Sequence, residues 1–185
     1  VVAGVVLFPG AGSSADHPSM RAMETALAPM PVALVDFPYR RTGRRFPDPA
    51  PALVECVVSE VGAFAARLGV STSRLVIGGR SMGGRMCSMA VADGLAVAGL
   101  VLVAYPLHPP KHPDRLRVEH LPRLAVASLW ISGTRDEFGA PDELAEAHAL
   151  PSVAPDVAWV DGARHALTGR NDEVAAIVAT WVGSR

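Results

Sequence analysis

Short runs of consecutive apolar residues recur along the chain, and stretches of helical periodicity separate them. The runs are Val1 to Phe8, Val32 to Asp36, Arg74 to Gly79, Ala98 to Ala104, Ala125 to Ser132 and Val157 to Val160. A sheet wetted on one face alternates polar and apolar residues, whereas strands apolar throughout belong to a parallel sheet covered on both faces. Between the runs, Ala52 to Leu68 carries Leu53, Val54, Val57, Val58, Val61, Phe64, Ala65 and Leu68 at spacings of three and four, which predicts an amphipathic helix ended by Gly69. Further helices are expected from about Pro18 to Ala28, after Ser81, from Asp142 to Ala149 and from Asp172 to Trp181. Residues 37–49 and 105–123, rich in proline and charge, read as loops. The 185 residues show no composition shift, internal repeat or long linker. The expected architecture is one three-layer α/β domain, residues 1–185, with a mostly parallel sheet of about six strands, helices on both faces and no large cap.

The third run leads into Gly78-Gly79-Arg80-Ser81-Met82-Gly83-Gly84-Arg85 and then an apolar helical stretch. A serine between glycines on a strand-to-helix turn is the pattern of a nucleophile elbow, which lifts the hydroxyl above the end of the sheet. Side chains in place of Gly79 or Gly83 would crowd the neighbouring strand or helix while the serine holds an unfavourable backbone conformation. Parallel sheets gather reactive groups at the carboxyl ends of their strands. There the fifth run is followed by Ser132-Gly133-Thr134-Arg135-Asp136, and the sixth by Asp161-Gly162-Ala163-Arg164-His165. A serine hydroxyl needs a histidine to take its proton and an acid to orient that histidine, so Ser81, Asp136 and His165 are the expected catalytic residues. Glu137 and Asp161 compete with Asp136 and read as solvated carboxylates or caps. The backbone N–H groups of Met82 and Ala11 are the expected oxyanion donors, with Gly10 or Gly12 as the alternative to Ala11.

Composition narrows the partners. The formal net charge is −1 and 19% of residues are charged, so no electrostatic footprint for nucleic acid or an anionic membrane is present, and a small-molecule substrate is expected. Of 17 basic residues only Lys111 is a lysine, glutamine is absent and Asn171 is the sole asparagine, a skew that looks like coding bias. The dense run Arg40, Arg41, Arg44 and Arg45 therefore reads as a solvated loop. Arg40 is nonetheless placed where it is able to contact substrate, and Arg80 and Arg135, which flank the catalytic positions more closely, are able to buttress loops or to contact substrate. Cys56 and Cys87 form no C-x-x-C and read as packing residues of a protein in a reducing, cytoplasmic compartment. No run reaches membrane-span length and no signal-peptide pattern opens the chain, while residues upstream of Val1 are expected. His108 and His112 have the spacing of a helical metal pair, but Pro109, Pro110 and Pro113 forbid that helix, so no metal and no cofactor are expected.

Gly10-Ala11-Gly12-Ser13-Ser14-Ala15 also matches a dinucleotide-binding pattern, with Asp36 placed as the ribose acid. Phosphate binding needs the helix to start at the glycines, whereas Asp16-His17-Pro18 signals a later start. A nicotinamide-dinucleotide enzyme is therefore the weaker expectation.

Taken together, the elbow, Tyr105-Pro106-Leu107-His108-Pro109-Pro110 and Gly133-Thr134-Arg135-Asp136 resemble the α/β-hydrolase superfamily. The likeness is to its small dienelactone-hydrolase-like branch, and within that to the hydrolase-like domain of testis-expressed proteins and of a histone acetyltransferase complex subunit. The resemblance implies the hydrolase fold and the roles of Ser81, Asp136 and His165. Dienelactone hydrolases are similar but use cysteine at the elbow, so their lactone substrate does not carry over, and Pro9 stands where many esterases have histidine. The expected site is shallow, covered by loops 37–49 and 105–123. The expected activity is hydrolysis of small carboxylic esters or related acyl compounds through an acyl-enzyme. A non-catalytic interaction module on the same fold is the alternative.

Overall fold

The computed structural model describes residues 1–185. Its strands are β1 (Gly4–Phe8), β2 (Val32–Leu34), β3 (Leu75–Arg80), β4 (Gly99–Val103), β5 (Ser128–Gly133) and β6 (Asp156–Val160). They form one sheet in the order β2-β1-β3-β4-β5-β6, with every pairing parallel. The helices are α1 (Pro18–Leu27), α2 (Pro38–Arg41), α3 (Ala50–Leu68), α4 (Met82–Ala92), α5 (Pro141–His148) and α6 (Asn171–Gly183).

Side chains of successive strand residues point to opposite faces, and here both faces are dry. Val5, Leu7, Val76, Val101, Leu129 and Ile131 pack with α1 and α6. Val6, Phe8, Leu75, Ile77, Leu100, Leu102 and Trp130 pack with α3, α4 and α5. This alternation of two apolar sets explains why the central strands read as unbroken apolar runs. At the edges, β2 is half-buried, and only Val160 of β6 is fully buried.

Boundaries move by a few residues from those expected. β1 begins at Gly4, although the Ala3 N–H already donates to the Arg74 carbonyl. β2 stops at Leu34, and the Asp36 carboxylate beyond it accepts the Ala15 N–H instead of extending the strand. α3 has Leu53, Val57, Val61, Phe64 and Ala65 on its buried stripe. It ends on Gly69 in the left-handed conformation, φ 67°, with the Val70 N–H folding back to the Ala65 carbonyl. The segment 37–49 is not wholly irregular, because Pro38 starts the one-turn helix α2 and buries Tyr39.

Two glycines set how closely the layers meet at the end of β3. A Cβ on Gly79 would lie 2.0 Å from the Phe8 carbonyl oxygen, and one on Gly83 would lie 2.2 Å from the same atom. Neither backbone position has room to yield, because β1 and β3 are paired through Phe8 and Gly79. Gly79→Ala and Gly83→Ala are each expected to lower unfolding free energy by about 3 kcal/mol or to prevent folding. Gly62→Ala, in α3 with open space around its Cβ position, is expected to be neutral or to gain up to about 1 kcal/mol. Urea denaturation of the three variants checks the contrast.

Candidate active site

Ser81 lies between β3 and α4 with φ 49° and ψ −116°, a region non-glycine residues rarely occupy. Its N–H is fixed by the Val103 carbonyl at 2.8 Å. The turn aims the side chain across the carboxyl edge of the sheet, where Ser81 Oγ is 2.9 Å from His165 Nε2. His165 Nδ1 is in turn 3.0 Å from both carboxylate oxygens of Asp136. With the Nδ1 proton directed at Asp136, Nε2 is left as the acceptor of the Ser81 hydroxyl proton. The structure therefore joins three residues from the ends of three strands in one hydrogen-bonded line.

Asp136 has a fully enclosed side chain, 0% exposed, and His165 remains 14% exposed. A buried carboxylate needs donors; besides the imidazole, Asp136 accepts the Phe138 N–H at 2.8 Å. Its two competitors point elsewhere. Glu137 accepts the backbone N–H of His165 at 3.3 Å, and Asp161 takes the Thr134 hydroxyl at 3.3 Å.

Phe138 was not singled out from the sequence. Its ring stacks on the His165 imidazole with centroids 3.9 Å apart and planes inclined by 25°. A lone aromatic in a loop carries no periodicity, and only its position two residues after the acid offered a signal. Arg80 buttresses the histidine loop: its Nη2 donates to the carbonyls of His165, at 3.1 Å, and Ala166, spanning from the elbow to that loop. Burial pulls the Arg80 pKa below the usual arginine value, with the nearby Asp136 charge opposing that effect.

The Ala11 and Met82 N–H groups have no acceptor within the chain. Met82 is the first residue of α4, where backbone donors lack helical partners. The loop bearing Ala11 is held from below by Tyr39, whose hydroxyl donates to the Ala11 carbonyl at 2.7 Å. In the same loop, the features that matched a dinucleotide cradle are differently engaged. Asp36 accepts the Ala15 N–H, and α1 begins only at Pro18. Its N-cap is His17, with Nδ1 accepting the Ser19 N–H.

A cavity of about 380 Å³ sits over Ser81, lined by Gly10, Ala11, Gly12, Ser13, His17, Arg80, Ser81, Phe138 and His165. Loops 37–49 and 105–123 contribute nothing to this lining, contrary to expectation. The first is drawn under the Ala11 loop through Tyr39, and the second is held against α4 through His120. Of the three arginines placed near substrate, only Arg80 lines the cavity. Arg40 and Arg135 do not, and Arg135 is exposed. The rest of the arginine run is engaged on the surface, with Arg41 on Glu60, Arg44 on Asp48 and Arg45 over the Phe46 ring.

A larger cavity of about 440 Å³ lies beside α5, floored by Leu107, Leu116 and Leu150 and rimmed by Asp142, Glu143 and Glu146. It contains no serine, threonine, cysteine or lysine. His108 is buried next to it and touches Glu143 at 3.3 Å, and no group of three or more His, Cys, Asp or Glu side chains is arranged to hold a metal ion. Cys87 is buried with its thiol directed at the Gly78 carbonyl, and burial pushes its pKa well up; Cys56 is only half-buried.

The chain has another serine–histidine contact, Ser88 Oγ to His120 Nε2 at 2.7 Å. Ser88 is wholly buried in α4 and donates to the Arg85 carbonyl, and no carboxylate bonds to His120. This pair fastens the 105–123 loop to α4 and lacks the acid and the access that a nucleophile requires.

An all-parallel sheet with a strained serine at the end of a central strand, and an acid and a histidine at the ends of two later strands, defines the α/β-hydrolase class of fold. The family model described as "Alpha/beta hydrolase domain" matches residues 2–178, and the chain belongs to that family. Solved structures are similar throughout. A dienelactone hydrolase from Anabaena variabilis is 21% identical, with a TM-score of 0.76 over 99% of this chain and 87% of that one. An alpha-beta serine hydrolase homologue from Coxiella burnetii is 16% identical, with a TM-score of 0.77 over 96% and 84%. Est1E from Butyrivibrio proteoclasticus is 12% identical, with a TM-score of 0.78 over 99% and 88%. No helix is long and apolar enough to cross a membrane.

His120 gives the fold a dependence on pH. Burial, followed by the Arg85 and Arg123 charges, holds its pKa down to about 4. The unfolded chain, with a histidine pKa of about 6.5, binds more protons between those values. The stabilisation is therefore complete above about pH 6.5 and is lost as pH falls toward about 4, amounting to up to about 3 kcal/mol. Denaturant midpoints measured at about pH 7 and about pH 5 are expected to fall with pH in the native protein and to fall less in His120→Gln.

Proposed function

We propose that this protein is a serine hydrolase of small carboxylic esters or related acyl compounds, working through an acyl-enzyme. The observation that carries the reading is the continuous line from Ser81 Oγ through His165 to Asp136, at 2.9 Å and 3.0 Å. In this reading Ser81 attacks the acyl carbonyl while His165 Nε2 takes its proton. Enclosed Asp136 stabilises the imidazolium that results and fixes the ring. The N–H groups of Met82 and Ala11 receive the negative charge that develops on the carbonyl oxygen. His165 then returns the proton to the departing alcohol, and water repeats the sequence on the acyl-Ser81 bond.

The names of the neighbouring structures, a serine hydrolase homologue and a dienelactone hydrolase among them, agree with this chemistry. The narrower likeness to testis-expressed and acetyltransferase-complex proteins rests on the elbow, the Tyr105 to Pro110 segment and Gly133 to Asp136, and it brings no substrate with it. We place the reaction in the cytoplasm, without metal or cofactor, on a small-molecule substrate. An interaction module without chemistry is separated from this reading by turnover. Short para-nitrophenyl esters are expected to be hydrolysed by the native protein, with kcat/KM falling by roughly 10⁴-fold in Ser81→Ala and His165→Gln. Asp136→Asn is expected to lose a comparable factor while remaining folded by circular dichroism. Equal rates in native and Ser81→Ala protein would remove Ser81 from the mechanism.

A further inference from the structure

Acyl-binding pockets are lined mostly by apolar side chains with a few placed polar groups. The cavity over Ser81 is the reverse. Its walls are backbone of Gly10 to Gly12, the Ser13 hydroxyl, His17 and Arg80, and the only apolar side chains on it are Ala11 and Phe138. A long alkyl chain would find almost nothing to displace water from there. No carboxylate lines the cavity, since Asp136 is enclosed behind His165.

Arg80 is the one permanently charged group on the wall. Its Nη2 is committed to the His165 and Ala166 carbonyls, which fixes the plane of the guanidinium. Its Nη1 and Nε make no hydrogen bond within the chain and are not sealed from solvent. The donors left on Nη1 and Nε point to different sides of the guanidinium, so a carboxylate oxygen is offered one charge-assisted hydrogen bond rather than a parallel pair. Burial and the neighbouring Arg80 both lower the pKa of His17, which favours the neutral form of the second imidazole on the wall.

We propose that the substrate is a short ester bearing a carboxylate, received by a donor left free on the Arg80 guanidinium while Ser81 attacks the ester carbonyl. This rests on the hydrolase reading above and adds the substrate class to it. Arg80 then does two separable things. Through Nη2 it positions the loop carrying His165, which affects every substrate equally. Through Nη1 and Nε it selects the charged one.

The test compares the para-nitrophenyl monoester of adipic acid with its neutral counterpart, in which the far carboxylate is methylated. Native protein is expected to favour the charged ester in kcat/KM by roughly tenfold, the size of one charge-assisted hydrogen bond. Arg80→Lys is expected to keep a reduced preference. Arg80→Gln is expected to slow both esters through the loosened loop and, beyond that shared loss, to bring their ratio to about one. A native ratio near one, or an unchanged ratio in Arg80→Gln, overturns the carboxylate assignment while Ser81-dependent turnover of the neutral ester leaves the hydrolase reading standing. If neither ester is cleaved and a fluorophosphonate leaves Ser81 unmodified, the hydrolase reading falls and takes this inference with it.

Discussion

The close approach of three backbone segments around the Phe8 carbonyl governs this molecule. Gly79 and Gly83 flank Ser81, and both press within a missing Cβ of that one oxygen. Because β1 and β3 meet there without side chains between them, the chain is able to leave β3, turn through a positive φ at Ser81 and enter α4 at once. The strain at Ser81 costs on the order of 1–3 kcal/mol. It is held by a sheet and a helix layer already fixed by the core, with Phe8, Ile77, Met86 and Leu102 buried around it.

Everything else in the site is arranged to meet that hydroxyl. β5 delivers Asp136 and β6 delivers His165, each from a loop just past a strand end. Loops alone position side chains loosely, and three contacts tighten these: Phe138 on the imidazole face, Glu137 on the His165 N–H and Arg80 on the following carbonyls. The clamp by Arg80 begins at the residue beside the nucleophile, so the two halves of the site are tied at the point where their spacing matters most. On the opposite side Tyr39 supports the Ala11 loop. The cavity that remains is small and mostly polar, with Arg80 as the one permanently charged group on its wall.

Much of this was legible before the structure. Unbroken apolar runs fixed the parallel sheet, because burial on both faces leaves no polar alternation, and the spacing of glycines around Ser81 marked the elbow. The chain order of Ser81, Asp136 and His165, each just past a different strand end, located the residues that the fold brings together. Three things escaped. The carbonyl acceptors of Arg80 lie 85 and 86 residues away and leave no trace in local pattern. Phe138 acts through stacking, which no motif encodes. Loops 37–49 and 105–123 were placed over the site because they follow strand ends, yet Tyr39 and His120 carry their buried side chains away from it. In the arginine run Arg41, Arg44 and Arg45 are exposed and Arg40 is half-buried, whereas Arg80 lines the cavity; abundance says nothing about which guanidinium faces it.

Three serine hydroxyls in this chain touch a histidine, those of Ser19, Ser81 and Ser88, and only Ser81 has the acid behind that histidine and open space before its own hydroxyl. Treating the native protein with a fluorophosphonate and mapping the modified peptide by mass spectrometry decides between them most directly. A single phosphonyl group on Ser81, absent after His165→Gln, is the expected result. Modification of Ser88 instead, or no modification under conditions that label a known serine hydrolase, contradicts the assignment of Ser81 as the nucleophile.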